Sequence, residues 1–374
     1  MTHRRRNLLI ALASALAVLT GVGWSTGMFD DWRDERSLGD ACQGVLAEEA
    51  LPETLGSERA FAGDSHPALE GALTRCVVRG SEEATPALRV DLRWAGDGHR
   101  DALPEGYTDT WAASGAAAPM EHERPGVVSG SGRELHATMA LACPAHKDTK
   151  GHDALLLTGR LTRPDARADD AQLRADLARF ISGSASKAAD KYGCRGPERA
   201  RAGQVAEDPL DHSVPVQAAK GSCAAARDLR RQAADTGLAR ALETPADPHA
   251  PLADCFLATD DNKPGVRLSF ISGAYAPSYA KADSLSKIRG ASGIDEEENS
   301  YAWATAVCPG SSERSLFTTW SVQDSHTKNS AATDPPPDFL HDALTAYAKK
   351  TAQDRGCTDL RLPAPNPAHG NDRH

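Results

Sequence analysis

Lys187-Ala-Ala-Asp-Lys-Tyr-Gly193-Cys194 and Lys350-Thr-Ala-Gln-Asp-Arg-Gly356-Cys357 are two versions of one helix ending. Each places a glycine where a helix stops in the left-handed conformation, with a cysteine immediately after it. Upstream, Leu173, Leu177, Phe180, Ile181 and Ala188 in one stretch, and Phe339, Leu340, Ala343, Leu344, Tyr347 and Thr351 in the other, recur at spacings of three and four. That is the apolar stripe of an amphipathic helix packed on something larger. Leu141-Ala-Cys143-Pro144 and Ala306-Val-Cys308-Pro309 form a second matched pair.

The cysteines complete the repeat. They fall at Cys42, Cys76, Cys143 and Cys194, then at Cys223, Cys255, Cys308 and Cys357. The outer gaps are 34 and 51 residues in the first set and 32 and 49 in the second, while the middle gap is 67 against 53. Two copies of one domain explain this economically. Within each copy, periodicity predicts a short helix at the first cysteine (41–55; 223–242) and a strand at the second (73–78; 253–258). A half-buried alternating strand follows (88–94; 266–271), then a strand ending in Cys-Pro (135–143; 300–308), a fourth strand (154–161; 315–322) and the closing helix. The expected class is α+β: two tandem copies of an antiparallel sheet flanked by an N-terminal and a C-terminal helix.

The chain therefore divides into a first four-cysteine domain at 41–195, a linker at 196–221, a second domain at 222–360 and a disordered tail at 361–374. The longer middle gap of copy one is read as a mobile loop within 98–132. Ahead of these, Arg4, Arg5 and Arg6 precede the uncharged run from Asn7 to Trp24. Eighteen helical residues reach about 27 Å, enough for the hydrocarbon core. Residues 1–6 are read as cytoplasmic, 7–24 as a transmembrane signal anchor and 25–40 as a stalk, with the basic residues holding the N-terminus inside. Cleavage after Ala15-Leu16-Ala17, giving a secreted protein, is the alternative. Twin-arginine export is a further route.

Eight thiols outside a membrane are best read as disulfides. No two lie nearer than 29 residues, which is unlike the close ligand pairs of a zinc site. The constant outer gaps favour pairing first with second and third with fourth, and first with fourth is the rival. The net charge of -10 argues against nucleic acid as a partner. No cofactor, metal or catalytic set is expected.

Weaker candidates have plain alternatives. Gly63-Asp64-Ser65-His66 resembles the start of a lipase motif but reads as a turn, and the chain contains no Gly-x-Ser-x-Gly. His122, His136, His146 and His152 read as surface histidines. Ile294-Asp295-Glu296-Glu297-Glu298-Asn299 lacks the pattern of a calcium loop. Trp94, Trp111, Trp303 and Trp320 read as packing residues before they read as a ligand platform.

The opening Ala41-Cys42-Gln43-Gly44-Val45-Leu46, followed by Arg75-Cys76, resembles actinobacterial cell-envelope domains of unknown function that are often lipoproteins. The resemblance implies location and a two-disulfide α+β fold, and it brings no activity or functional residue. This chain departs from it in lacking the lipid-anchor cysteine. The expected function is a non-catalytic binding module at the cell envelope, anchored to the membrane and engaging an envelope protein or cell-wall component. A secreted envelope hydrolase and a transmembrane sensor or assembly partner are the alternatives.

Overall fold

The structure is a computed structural model. It describes residues 37–63, 72–80, 86–97, 102–104, 116–120, 125–131, 133–145, 147, 151–167, 169–197, 205, 212–280, 290–294, 301–310, 312–322 and 335–364. The first copy opens with 3₁₀ turns at Ala41–Gly44 and Glu48–Ala50 and the short helix α1, Leu51–Leu55. Seven strands follow: β1 (Ala60–Ala62), β2 (Ala72–Gly80), β3 (Ala87–Trp94), β4 (Ala118–Pro119), β5 (Gly126–Ser131), β6 (Glu134–Ala142) and β7 (Ala154–Thr162). Helix α2, Ala171–Tyr192, closes the copy, capped by the Asp170 carboxylate at its start and by Gly193 at φ 67° at its end.

The second copy runs through β8 (Ser213–Pro215), a 3₁₀ turn at Ala224–Leu229, α3 (Arg230–Asp235), β9 (Arg240–Glu243), β10 (Leu252–Ala258) and β11 (Pro264–Ile271). It continues with α4 (Ala276–Ala280), β12 (Gly293–Ile294), β13 (Tyr301–Val307), β14 (Ser315–Ser321), α5 (Pro337–Asp354) and β15 (Thr358–Arg361).

The strand order is β1-β2-β3-β7-β6-β5-β4 in one sheet and β12-β13-β14-β11-β10-β9-β8 in the other, with β15 also pairing with β13, farther along it than β12. All pairings are antiparallel. The central four, β2-β3-β7-β6 and β10-β11-β14-β13, keep one order in both copies. Disulfides Cys42–Cys76 and Cys223–Cys255 tie each opening turn to the first central strand. Cys143–Cys194 and Cys308–Cys357 tie the ends of β6 and β13 to the end of each closing helix. Loops of these lengths each contribute about 4 kcal/mol in the chain-entropy account.

One face of each sheet meets its own helix. Leu88, Val90, Leu157 and Leu135 pack with Leu177, Phe180 and Ile181 of α2. Val266, Leu268 and Phe317 pack with Leu344 and Tyr347 of α5. The other faces meet each other. Leu103, Ala117, Val127 and Leu156 of copy one share a core with Ile271, Tyr275, Tyr279, Trp303, Leu316 and Trp320 of copy two. The molecule is thus layered helix, sheet, sheet, helix, a shared-core form of the two-layer rule.

This overturns the expectation of half-buried strands at 88–94 and 266–271. Asp91, Arg93, Arg267 and Ser269, which the alternation assigns to water, are 3, 1, 2 and 0 % exposed. Period-two alternation records that two faces differ, not that one is wet; here the polar face is covered by the second copy at Asp91 and Arg93, while Arg89 stays exposed as the alternation predicts. The buried charges are paired. Asp91 holds Arg75 Nε at 2.6 Å and Arg93 Nε at 2.8 Å, and Asp254 holds Arg267 Nε at 3.0 Å and accepts from Ser269 Oγ at 2.6 Å.

Other boundaries move as well. The opening helices are short 3₁₀ and α turns, and 240–242, read as helix, lies in β9. The linker ends early, because β8 and buried Val216 already belong to copy two. Copy two also runs past 360, since β15 ends at Arg361 and Leu362 packs on its core. The supposed loop of copy one contains β4 and β5. The anchor at 7–24, the stalk up to residue 36 and the tail from 365 lie outside the described residues. Among the described residues no helix is long and apolar enough to cross a membrane.

Candidate functional site

Thr244-Pro245-Ala-Asp247-Pro248-His249-Ala250-Pro251 joins β9 to β10. Its three prolines lack amide hydrogens, so local turns can satisfy few of its carbonyls; Ala250 N donates to Asp247 O at 3.3 Å. Arg355, the residue that caps α5, supplies further donors. Its Nη1 donates to Pro248 O at 2.9 Å and Ala250 O at 2.7 Å, and its Nη2 donates to Asp247 O at 2.9 Å. The same guanidinium lies 3.9 Å from the centroid of Phe270. A stacked, planar fork of this kind cannot be reproduced by lysine. Arg355 therefore fixes the proline loop against the end of the second copy.

That loop forms one wall of a cleft of about 850 Å³ between the copies. Pro125, Ala140, Ala142 and Arg195 line it from copy one, and Pro248, His249, Ser272, Pro309 and Arg355 from copy two. A second hollow of about 190 Å³ lies behind the loop, bounded by Asp247, Tyr347, Lys350 and Thr351, and shares Pro248, Ala250, Asp354 and Arg355 with the cleft. Asp247 is 7 % exposed; its Oδ1 accepts from His249 N at 2.8 Å, and its Oδ2 has no hydrogen-bond partner among the described residues. The Tyr347 hydroxyl donates to Ala253 O at 3.1 Å, and burial pushes its phenol above the usual range.

The walls are mostly small and apolar, with charge at Arg195, Asp354 and Arg355. Ser272 and His249 both line the cleft, and no hydrogen bond joins these two described residues. Among the described residues no three His, Cys, Asp or Glu side chains converge as metal ligands.

The residues singled out in the sequence are scattered. His136 is buried on the inner face of β6, and His152 packs on the turn after β3, against Gly96. His136 corrects the surface reading, because the second sheet covers that side, while His152 is only half-buried. His122, His146, Trp111, residues 64–66 and 295–299 lie outside the described residues. Trp94 packs on the first core, while Trp303 and Trp320 are 6 and 3 % exposed between the sheets. None of the described ones, His136, His152, Trp94, Trp303 and Trp320, lines the cleft. The residues missed were the proline loop and Arg355; their signal was Pro245, Pro248 and Pro251 at intervals of three.

No protein-family model, curated protein or solved structure matches the chain.

Proposed function

We propose that the chain is an extracytoplasmic binding module, held to the membrane by residues 7–24, that takes a small cell-wall component into the cleft between its two copies. The cleft itself carries this reading. It is concave, sits at a domain junction, is walled mainly by apolar groups with a few charges, and falls within the roughly 300–1,000 Å³ of small-ligand sites. Four disulfides fit an oxidising compartment. The envelope setting also agrees with the sequence resemblance, which remains part of the proposal. Because the copies share a core, the reading replaces two separate recognition surfaces with one composite site.

The test is thermal unfolding of the full chain with soluble muropeptides. A saturable rise in Tm is expected, and Ser272→Trp, which fills the cleft from a half-buried position, abolishes the rise while leaving the ligand-free Tm in place. No shift with any fragment, or an unchanged shift in Ser272→Trp, overturns the proposal.

A further inference from the structure

We infer that the cleft between the copies takes its ligand by a carboxylate, held by Arg195 of copy one with His249 and Ser272 of copy two. The inference rests on the reading of the cleft as the binding site and names the chemistry that site selects. Apart from the disulfide-bonded Cys308, the polar side chains among the described lining residues are Arg195, His249, Ser272, Asp354 and Arg355. Two of these are engaged. The Asp354 carboxylate accepts from Lys350 Nζ at 2.5 Å, and Arg355 spends Nη1 and Nη2 on the carbonyls of the proline loop. The guanidinium of Arg195, the ring of His249 and the hydroxyl of Ser272 make no hydrogen bond or ion pair with a described residue.

These three side chains rise from backbone that is fixed. Arg195 follows the Cys143–Cys194 disulfide, and its amide donates to Ala142 O at 2.7 Å. The His249 amide donates to Asp247 Oδ1 at 2.8 Å, within the loop that Arg355 clamps. The Ser272 amide donates to Pro251 O at 2.8 Å. Closing the repeat does not require the arginine, because the residue after Cys357 in copy two is Thr358, the first of β15.

All three can donate. A guanidinium is charged at any physiological pH, an imidazole keeps an N–H in either neutral tautomer, and a hydroxyl brings one hydrogen. Arg195 and His249 are exposed to an incoming ligand and Ser272 is half-buried. The group that satisfies them is an anionic acceptor, and the flat, two-oxygen carboxylate fits the guanidinium fork. Its single charge also meets less repulsion from Asp354 than a doubly charged phosphate would. The walls around the donors include Ala140, Ala142, Pro248, Pro251 and Pro309, so the body of the ligand rests on small apolar groups.

The test titrates the full chain with two matched sets of soluble muropeptides, one with free stem-peptide carboxylates and one with those groups converted to carboxamides, read by calorimetry. The acid set is expected to bind about tenfold more tightly. Arg195→Ala, at an exposed position, removes that preference by weakening the acid set about tenfold and leaves the affinity for the amide set in place. Arg227→Ala, an exposed arginine of copy two away from the cleft, changes neither. Equal affinity for the two sets, or a preference that survives Arg195→Ala, overturns the carboxylate assignment while the cleft reading stands. No binding by either set, or binding untouched by the cleft-filling Ser272→Trp, overturns both.

Discussion

Copy one and copy two share four central strands, two disulfides and a closing helix, yet their inner faces are unlike. At equivalent positions the first carries Arg160 and His136 and the second carries Trp320 and Tyr301. Tyr301 lies 5.2 Å from Trp320 and 5.8 Å from Trp303, so copy two brings an aromatic cluster to the junction. Copy one answers with small apolar residues over part of its face and leaves Arg89 and Arg160, opposite each other on β3 and β7, beside them. The outward helices and disulfides are constant because each copy needs them to close its own core. The inner faces are free to diverge because each has only to fit the other.

Four changes test that asymmetry, in order of expected effect. Asp254 is 0 % exposed and also accepts the Ala117 amide of copy one at 2.9 Å. Asp254→Ala leaves Arg267 buried without its partner and is expected to cost about 3–5 kcal/mol, read by urea unfolding. Trp320→Ala opens a void between the sheets and costs about 3–5 kcal/mol, whereas its counterpart Arg160→Ala costs less than about 1 kcal/mol. Similar losses at both positions would break the comparison.

Thr138 Oγ1 and the Tyr275 hydroxyl lie 3.0 Å apart across the junction. Thr138→Val keeps the shape but strands a buried phenol, at about 1–3 kcal/mol. Alkaline pH gives the gentlest test. Burial pushes the phenols of Tyr275 and Tyr279 well above their usual range. A phenol that binds its proton more tightly when folded contributes fully below its unfolded pKa of about 10, and that contribution fades as pH rises toward the folded value. Stability is therefore expected to fall above about pH 10, by at most about 1.4 kcal/mol per pH unit for each tyrosine. Tyr275→Phe reduces the slope, and an unchanged slope counts against the buried junction.

The repeat, the central strands and the closing helices were legible because they rest on local signals: cysteine spacing, two-residue alternation and a glycine after an apolar stripe. The packing of one copy on the other was not. Leu88-Arg-Val-Asp-Leu-Arg-Trp94 reads as half-wet in isolation, since nothing local says that Asp91 and Arg93 will be covered. The edge strands were missed for a related reason: β4, β8 and β12 are two or three residues long and exist only by pairing with a longer neighbour. Arg355 was visible only as a residue near a helix end, because its three carbonyl partners lie more than 100 positions away.

The central claim is that the copies form one folded unit with a common core. Native-state hydrogen exchange of the full chain compares the amides of β7 with those of β14, equivalent strands on opposite sides of the junction. The expected result is one opening free energy for both strands, equal to that of global unfolding. Exchange of one strand through a cheaper opening, while the other stays protected, would contradict the claim.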